Sequence, residues 1–109
     1  MNLTFTITKQ YEKEFVSSNL INSNLRIERV SICCGSDDLG TCLLLDTINN
    51  MQERRQSPLV VINKKFQSDY VNITIPKTRK WRFYLTDKEG KYKSVHTPIV
   101  VSIHFSVDT

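Results

Sequence analysis

The stretch WRFYLT (81–86), the turn DKEG (87–90) and the stretch IVVSIHFSV (99–107) decide the fold class of this chain. In both apolar stretches a large apolar residue recurs at every second position, which is the period of a β-strand with one buried face. The four-residue link that ends at Gly90 is typical of a hairpin turn whose last residue is left-handed. The pattern therefore predicts a β-hairpin that buries on one face Trp81, Phe83, Ile103 and Phe105.

Shorter strand-like segments lie along the rest of the chain. Residues 3–7 predict a first strand at a sheet edge, and residues 25–32 predict a strand whose alternation slips at Glu28-Arg29, where one extra residue fits a β-bulge. Residues 9–23 contain several turn-forming positions and predict a loop with at most one helical turn. Further strands are predicted at residues 42–48, which would pair with the preceding strand, at 59–66 and at 71–75.

The number of these segments indicates the architecture. Seven or eight short strands separated by turn signals predict an all-β chain, an antiparallel β-sandwich or jelly-roll-like single domain over residues 1–109. The sequence contains no alanine, the best helix former, and is rich in the strand-favouring residues threonine, isoleucine and valine.

Length and charge limit the classes of protein to which the chain can belong. A chain of 109 residues has room for one domain, and no apolar run approaches the roughly 18 residues that cross a bilayer. The first residues lack the basic and apolar segments of a secretory signal, so we expect either a protein that is intracellular as made or the mature form of a processed one, in both cases without a membrane span. The net charge of +4 permits, without requiring, a nucleic-acid partner.

Three cysteines form the first candidate site. Cys33, Cys34 and Cys42 would supply three zinc ligands, whereas a structural zinc site has four. A disulfide from Cys42 to one of the adjacent pair is sterically possible but would leave one thiol over. We expect three reduced thiols, one or two of them packed as small apolar side chains, and no metal or other cofactor.

Two histidines form the second candidate site. A cysteine nucleophile needs a base and an orienting group within hydrogen-bond reach, and Cys33, His104 and Asp87 could be combined in this way. No local motif supports that combination, His96 has no partner motif either, and His104 falls on the non-core face of its strand. We therefore expect a protein that is not an enzyme.

Four basic residues just before and at the start of the predicted hairpin, here called the basic rim, support an alternative function. It interleaves positive charge with Trp81 and Tyr84, as phosphate-binding and base-stacking surfaces do. Lys88, Lys91 and Lys93 would extend it. In this hypothesis the chain is a small binding module for nucleic acid or another acidic ligand, and the rim consists of Lys77, Arg79, Lys80 and Arg82.

The last third of the chain resembles a viral family. The residues that carry the resemblance are ITIP (73–76), WRFYLTDKEG (81–90) and PIVVSIHF (98–105). They are similar to the C-terminal β-domain of minor structural proteins from Polinton- and adintovirus-like double-stranded DNA elements, in which a Leu-Thr-Asp turn leads to a last strand with an apolar-His-apolar step. The resemblance implies a virion protein that is capsid-associated, penton-like or spike-like.

Such a protein acts through contacts with other subunits. The main hypothesis is therefore a non-enzymatic structural protein that forms a homo-oligomer or part of a larger capsid. Contacts are expected on the face of the predicted hairpin that does not enter the core, where the candidate interface residues are Tyr84, Val100 and His104.

Overall fold

The computed structural model describes the backbone of residues 2–8, 12–16, 24–47, 58–75, 80–95 and 97–108, and the side chains of these residues except 12–16, 46–47, 80–81 and 108. Eight strands and one short 3-10 turn (Ser36–Asp38) lie within this part of the chain. The strands are β1 (Asn2–Ile7), β2 (Glu12–Val16), β3 (Asn24–Cys33), β4 (Cys42–Thr47), β5 (Val60–Val61), β6 (Phe66–Ile75), β7 (Lys80–Thr86) and β8 (Ile99–Asp108).

The strands form two four-stranded sheets. The first sheet has the order β1-β8-β3-β6, the second has the order β2-β7-β4-β5, and every neighbouring pair is antiparallel. Two four-stranded antiparallel sheets with these strand orders form the eight-stranded jelly roll. The predicted all-β sandwich is confirmed, and the topology specifies its jelly-roll form.

The core lies between the two sheets because each strand turns its alternate apolar residues inward. One cluster of buried side chains draws on both sheets, and the rings of Phe5 and Phe83 meet across it with centroids 4.9 Å apart. Phe83, Ile103 and Phe105 share this core as predicted, whereas the side chain of Trp81 lies outside the described residues.

The predicted hairpin is wrong in its pairing although its turn is correct. The amide of Gly90 donates to the carbonyl of Asp87, and Gly90 has φ +90°, the left-handed value that glycine adopts at no steric cost. Beyond the turn the chain pairs with β7 only briefly, at Tyr92 and Lys93, and then crosses to the other sheet. β7 and β8 therefore face each other across the core instead of pairing edge to edge.

Three other segments differ from their predictions. The expected loop at residues 9–23 contains β2, whose backbone is paired along β7, and this tertiary pairing overrides the local turn signals. β4 pairs with β5 and β7 instead of β3, because the turn at Ser36–Asp38 carries the chain between the sheets. The predicted strand at 59–66 is shorter, since only Val60–Val61 pairs before β6 begins.

Two irregularities bend the first sheet. The predicted bulge at Glu28-Arg29 is confirmed, since the register of β3 shifts between Ile27 and Arg29 against both of its neighbours. On β6, the same shift leaves Asn72 with φ 48°, a left-handed conformation that asparagine tolerates better than most residues. In the described part of the chain there is no helix long and apolar enough to cross a membrane.

Candidate interaction surface on the first sheet

The solvent-facing side of the first sheet, here called the outer face, is built from rows of side chains that cross all four strands. The middle row consists of hydroxyl groups in direct register, from Thr4 on β1 through Ser102 and Ser31 to Ser68 on β6. Thr4 and Ser102 share a hydrogen bond of 3.0 Å between their oxygens, and Ser31 and Ser68 share one of 3.2 Å. These short side chains leave the middle of the face flat.

An apolar row lies on one side of the hydroxyl row. It contains Thr6, Val100, Cys33 and Phe66, again in register across the four strands. Phe66 is 77% exposed and Val100 is 37% exposed. Cys33, Phe66 and Val100, together with the three serines of the hydroxyl row, line a shallow open depression of about 410 Å³.

A polar row lies on the other side and contains Asn2, His104, Arg29 and Tyr70. Nη2 of Arg29 lies 3.1 Å from Nε2 of His104, and both side chains are half-buried. Tyr70 ends the row at the sheet edge with 84% of its surface exposed. The outer face thus presents two exposed aromatic rings on β6, separated by one serine of the same face.

Two of the predicted interface residues lie on this face and the third does not. Val100 is in the apolar row and His104 is in the polar row, on the same strand. Tyr84, predicted to be exposed, is only 4% exposed and packs beside Cys42 and Leu44 on the second sheet. Tyr84 is buried because the arm after the turn, residues 91–95, packs over it. The ring of Tyr92 in this arm has its centre 5.6 Å from that of the Tyr84 ring.

The predicted basic rim is described only at its end. Lys77 and Arg79 lie outside the described residues, as does the side chain of Lys80, whereas the guanidinium of Arg82 lies 5.4 Å from the centre of the Tyr84 ring. β7 separates Lys80 from the turn by about 20 Å, at about 3.3 Å per residue. Lys88, Lys91 and Lys93 follow the end of β7 opposite to Lys80, and their extension of the basic rim stays a prediction.

The three thiols are separate groups. Cys33 lies in the apolar row, Cys42 is buried on the second sheet, and Sγ of Cys34 lies 3.8 Å from the carbonyl oxygen of Lys64. Burial raises the pKa of the Cys34 thiol, and the charge of Asp38 raises it further. Nowhere in residues 2–8, 12–16, 24–47, 58–75, 80–95 and 97–108 do three or more His, Cys, Asp or Glu side chains come together as they would around a metal ion.

The combination of Cys33, His104 and Asp87 is not assembled. Cys33 pairs with Val100, four residues along β8 from His104, which corresponds to about 13 Å. Asp87 uses its carboxylate in the turn, where Oδ1 accepts the amides of Glu89 and Lys91. His96 lies outside the described residues.

The sequence does not predict the two aromatic side chains that are most exposed among those the structure describes, Phe66 and Tyr70. The predicted strand ends at Phe66, and no role is predicted for Tyr70. The signal that could have found them is parity: both have even numbers, whereas the apolar residues of the same strand, Val71, Ile73 and Ile75, have odd numbers. Residues of opposite parity point to opposite faces of a strand.

Comparison of the chain with protein-family models, with curated proteins and with solved structures gives no match.

Proposed function

We propose that this chain is a non-enzymatic structural subunit of a virion, capsid-associated and either penton-like or spike-like, that acts by contact with further copies of itself or with a larger shell. Two features support the proposal: the resemblance of the last third of the chain to minor structural proteins of double-stranded DNA elements, and the jelly-roll order of the strands, which recurs in capsid domains but also in lectins and cupins. Since one fold serves many functions, the function of this chain depends on the residues of its surface.

The observation that carries the proposal is the outer face of the first sheet. It combines a flat row of hydroxyl groups with the exposed side chains of Phe66, Tyr70 and Val100. Contiguous exposed apolar side chains rimmed by polar ones mark interaction sites in soluble proteins. A flat and mainly uncharged sheet face is better suited to another protein surface than to a small molecule, which binds in a deep concave pocket.

Sedimentation velocity across a concentration series, with and without duplex DNA, tests this proposal against the basic-rim alternative. We expect self-association that grows with protein concentration and is independent of DNA, with an interface above about 1,000 Å². A monomer that shifts only with DNA, and whose binding weakens steeply with salt, would support the nucleic-acid module instead. A monomer under every condition would contradict self-association.

A further inference from the structure

The outer edge of β6 is an open strand edge among the strands that the structure describes. β6 is ten residues long and lies at the end of the order of the first sheet, and within this described part of the chain it pairs with β3 only. Every second residue of an edge strand directs its N–H and C=O away from the sheet, where they can pair with another strand. Proteins block such edges with lysine or proline, whereas β6 contains neither, and its one charged residue is Asp69.

The charge of Asp69 does not block this edge, because the carboxylate is engaged within the chain. Asp69 accepts a hydrogen bond from Nε2 of Gln67, and Gln67 is in turn bonded to the carbonyl of Val61 and to the amide of Asn63. These contacts hold Asp69 toward the interior of the sandwich. Phe66, Ser68 and Tyr70 occupy the other face.

Phe66 and Tyr70 lie at equal distances along β6 on either side of Ser68, as pairing of two copies about a two-fold axis requires. In an antiparallel pair, directly opposed residues lie on the same face. If a second copy of β6 pairs about an axis at Ser68, then Ser68 faces its own counterpart, and Phe66 of each copy faces Tyr70 of the other. A single register therefore gives both exposed aromatic residues a cross-strand aromatic neighbour.

We propose that two copies of this chain pair through antiparallel β6 strands about a two-fold axis at Ser68, which joins their first sheets into one continuous eight-stranded sheet. The inference rests on the proposed function, because it names the contact through which the repeated subunit self-associates. The left-handed Asn72 limits the pairing to the regular half of the strand, in which residues 66–70 pair with the same residues of the second copy.

The area supports a second copy as the occupant. An aromatic side chain buries about 150–250 Å². Phe66 and Tyr70 are 77% and 84% exposed, so the four rings of a pair would contribute roughly half of the about 1,200 Å² at the lower end of specific interfaces. The paired backbones and the flanking hydroxyl groups supply further area. β1, the opposite edge of the same sheet, has no large exposed hydrophobic side chain.

Thr4 and Ser68 provide a matched test, because they are the two ends of one hydroxyl row and each bonds one serine of the same sheet. In a Cys33→Ser, Cys34→Ser background, we expect Ser68→Cys to form a disulfide-linked dimer under mild oxidation and Thr4→Cys to remain monomeric on a non-reducing gel. Equal cross-linking of the two variants, or cross-linking of Thr4→Cys alone, would overturn the β6 contact.

A charge at the axis tests the same contact without cross-linking. Ser68→Lys places two like charges directly opposite each other, so it should raise the dimer dissociation constant at least about tenfold, whereas Thr4→Lys should leave it unchanged. If the original chain self-associates and the Ser68→Lys variant associates equally well, the β6 contact is wrong but self-association is not. A β6 dimer that never grows further would support the contact and contradict the shell subunit.

Discussion

Arg29 and His104 face each other across β3 and β8, with Nη2 of Arg29 lying 3.1 Å from Nε2 of His104. A guanidinium has donors only, so Nε2 of His104 accepts this hydrogen bond and the ring proton lies on Nδ1. The pair links the two central strands of the first sheet in the row that ends at Tyr70. It therefore holds the position of one predicted interface residue.

Replacement of His104 tests this arrangement. His104→Lys removes the acceptor and places a second positive charge opposite Arg29, so we expect a loss of about 1 kcal/mol in the free energy of unfolding measured in urea. His104→Gln keeps an acceptor oxygen and should lose less. Equal stability of the two variants would show that the hydrogen bond contributes nothing measurable.

Phe105 tests the assignment of the core. It is buried in the cluster shared by the two sheets, so Phe105→Ala should cost about 3–5 kcal/mol in chemical denaturation. Val107→Ala is the control, because Val107 is on the same strand but is 42% exposed. A cost below about 1 kcal/mol for Phe105→Ala would contradict its place in the core.

The alternation of apolar residues predicts which face of a strand is buried but not which strand lies beside it. Phe83 and Phe105 were placed correctly in one core, yet their strands belong to different sheets. A two-residue period is identical in a hairpin and in two strands that face each other across a sandwich. The local sequence of β2 lacks such an alternation of apolar residues. This strand forms through its pairing with β7, which the local sequence does not predict.

The candidate surface was predictable in part for the same reason. Val100 and His104 were found because they alternate with core residues of β8. Tyr84 also alternates with core residues, but the arm carrying Tyr92 packs against it, and no local pattern predicts that contact. The sequence does not predict an exposed Phe66, because the predicted strand ends at this residue, whereas β6 begins there.

The thiols should differ in their reactivity. All three should titrate as free groups in freshly purified protein denatured without reductant.

In a Cys33→Ser variant, the rate of Cys34 alkylation should reach half of its maximum at a higher pH in the native state than in urea, because burial raises the pKa of this thiol in the folded protein. A native midpoint at or below the denatured one would contradict that effect.

Gly35 and Thr97 form a close contact beside a buried carboxylate. A Cβ added to Gly35 would overlap Oγ1 of Thr97, the hydroxyl that donates to Oδ2 of Asp38 at 3.1 Å. Gly35→Ala should therefore cost about 1–3 kcal/mol in the free energy of unfolding. The same substitution in a Thr97→Ala background should cost less, because the overlapping oxygen is gone, and additive effects in this cycle would refute the contact.

Native mass spectrometry of the purified chain is the decisive test of self-association, because it counts the copies in each particle. We expect particles of more than two copies at high protein concentration, with dimers as the smallest associated species. Monomers at every concentration would contradict the proposal that this jelly roll is a subunit of a self-associating shell.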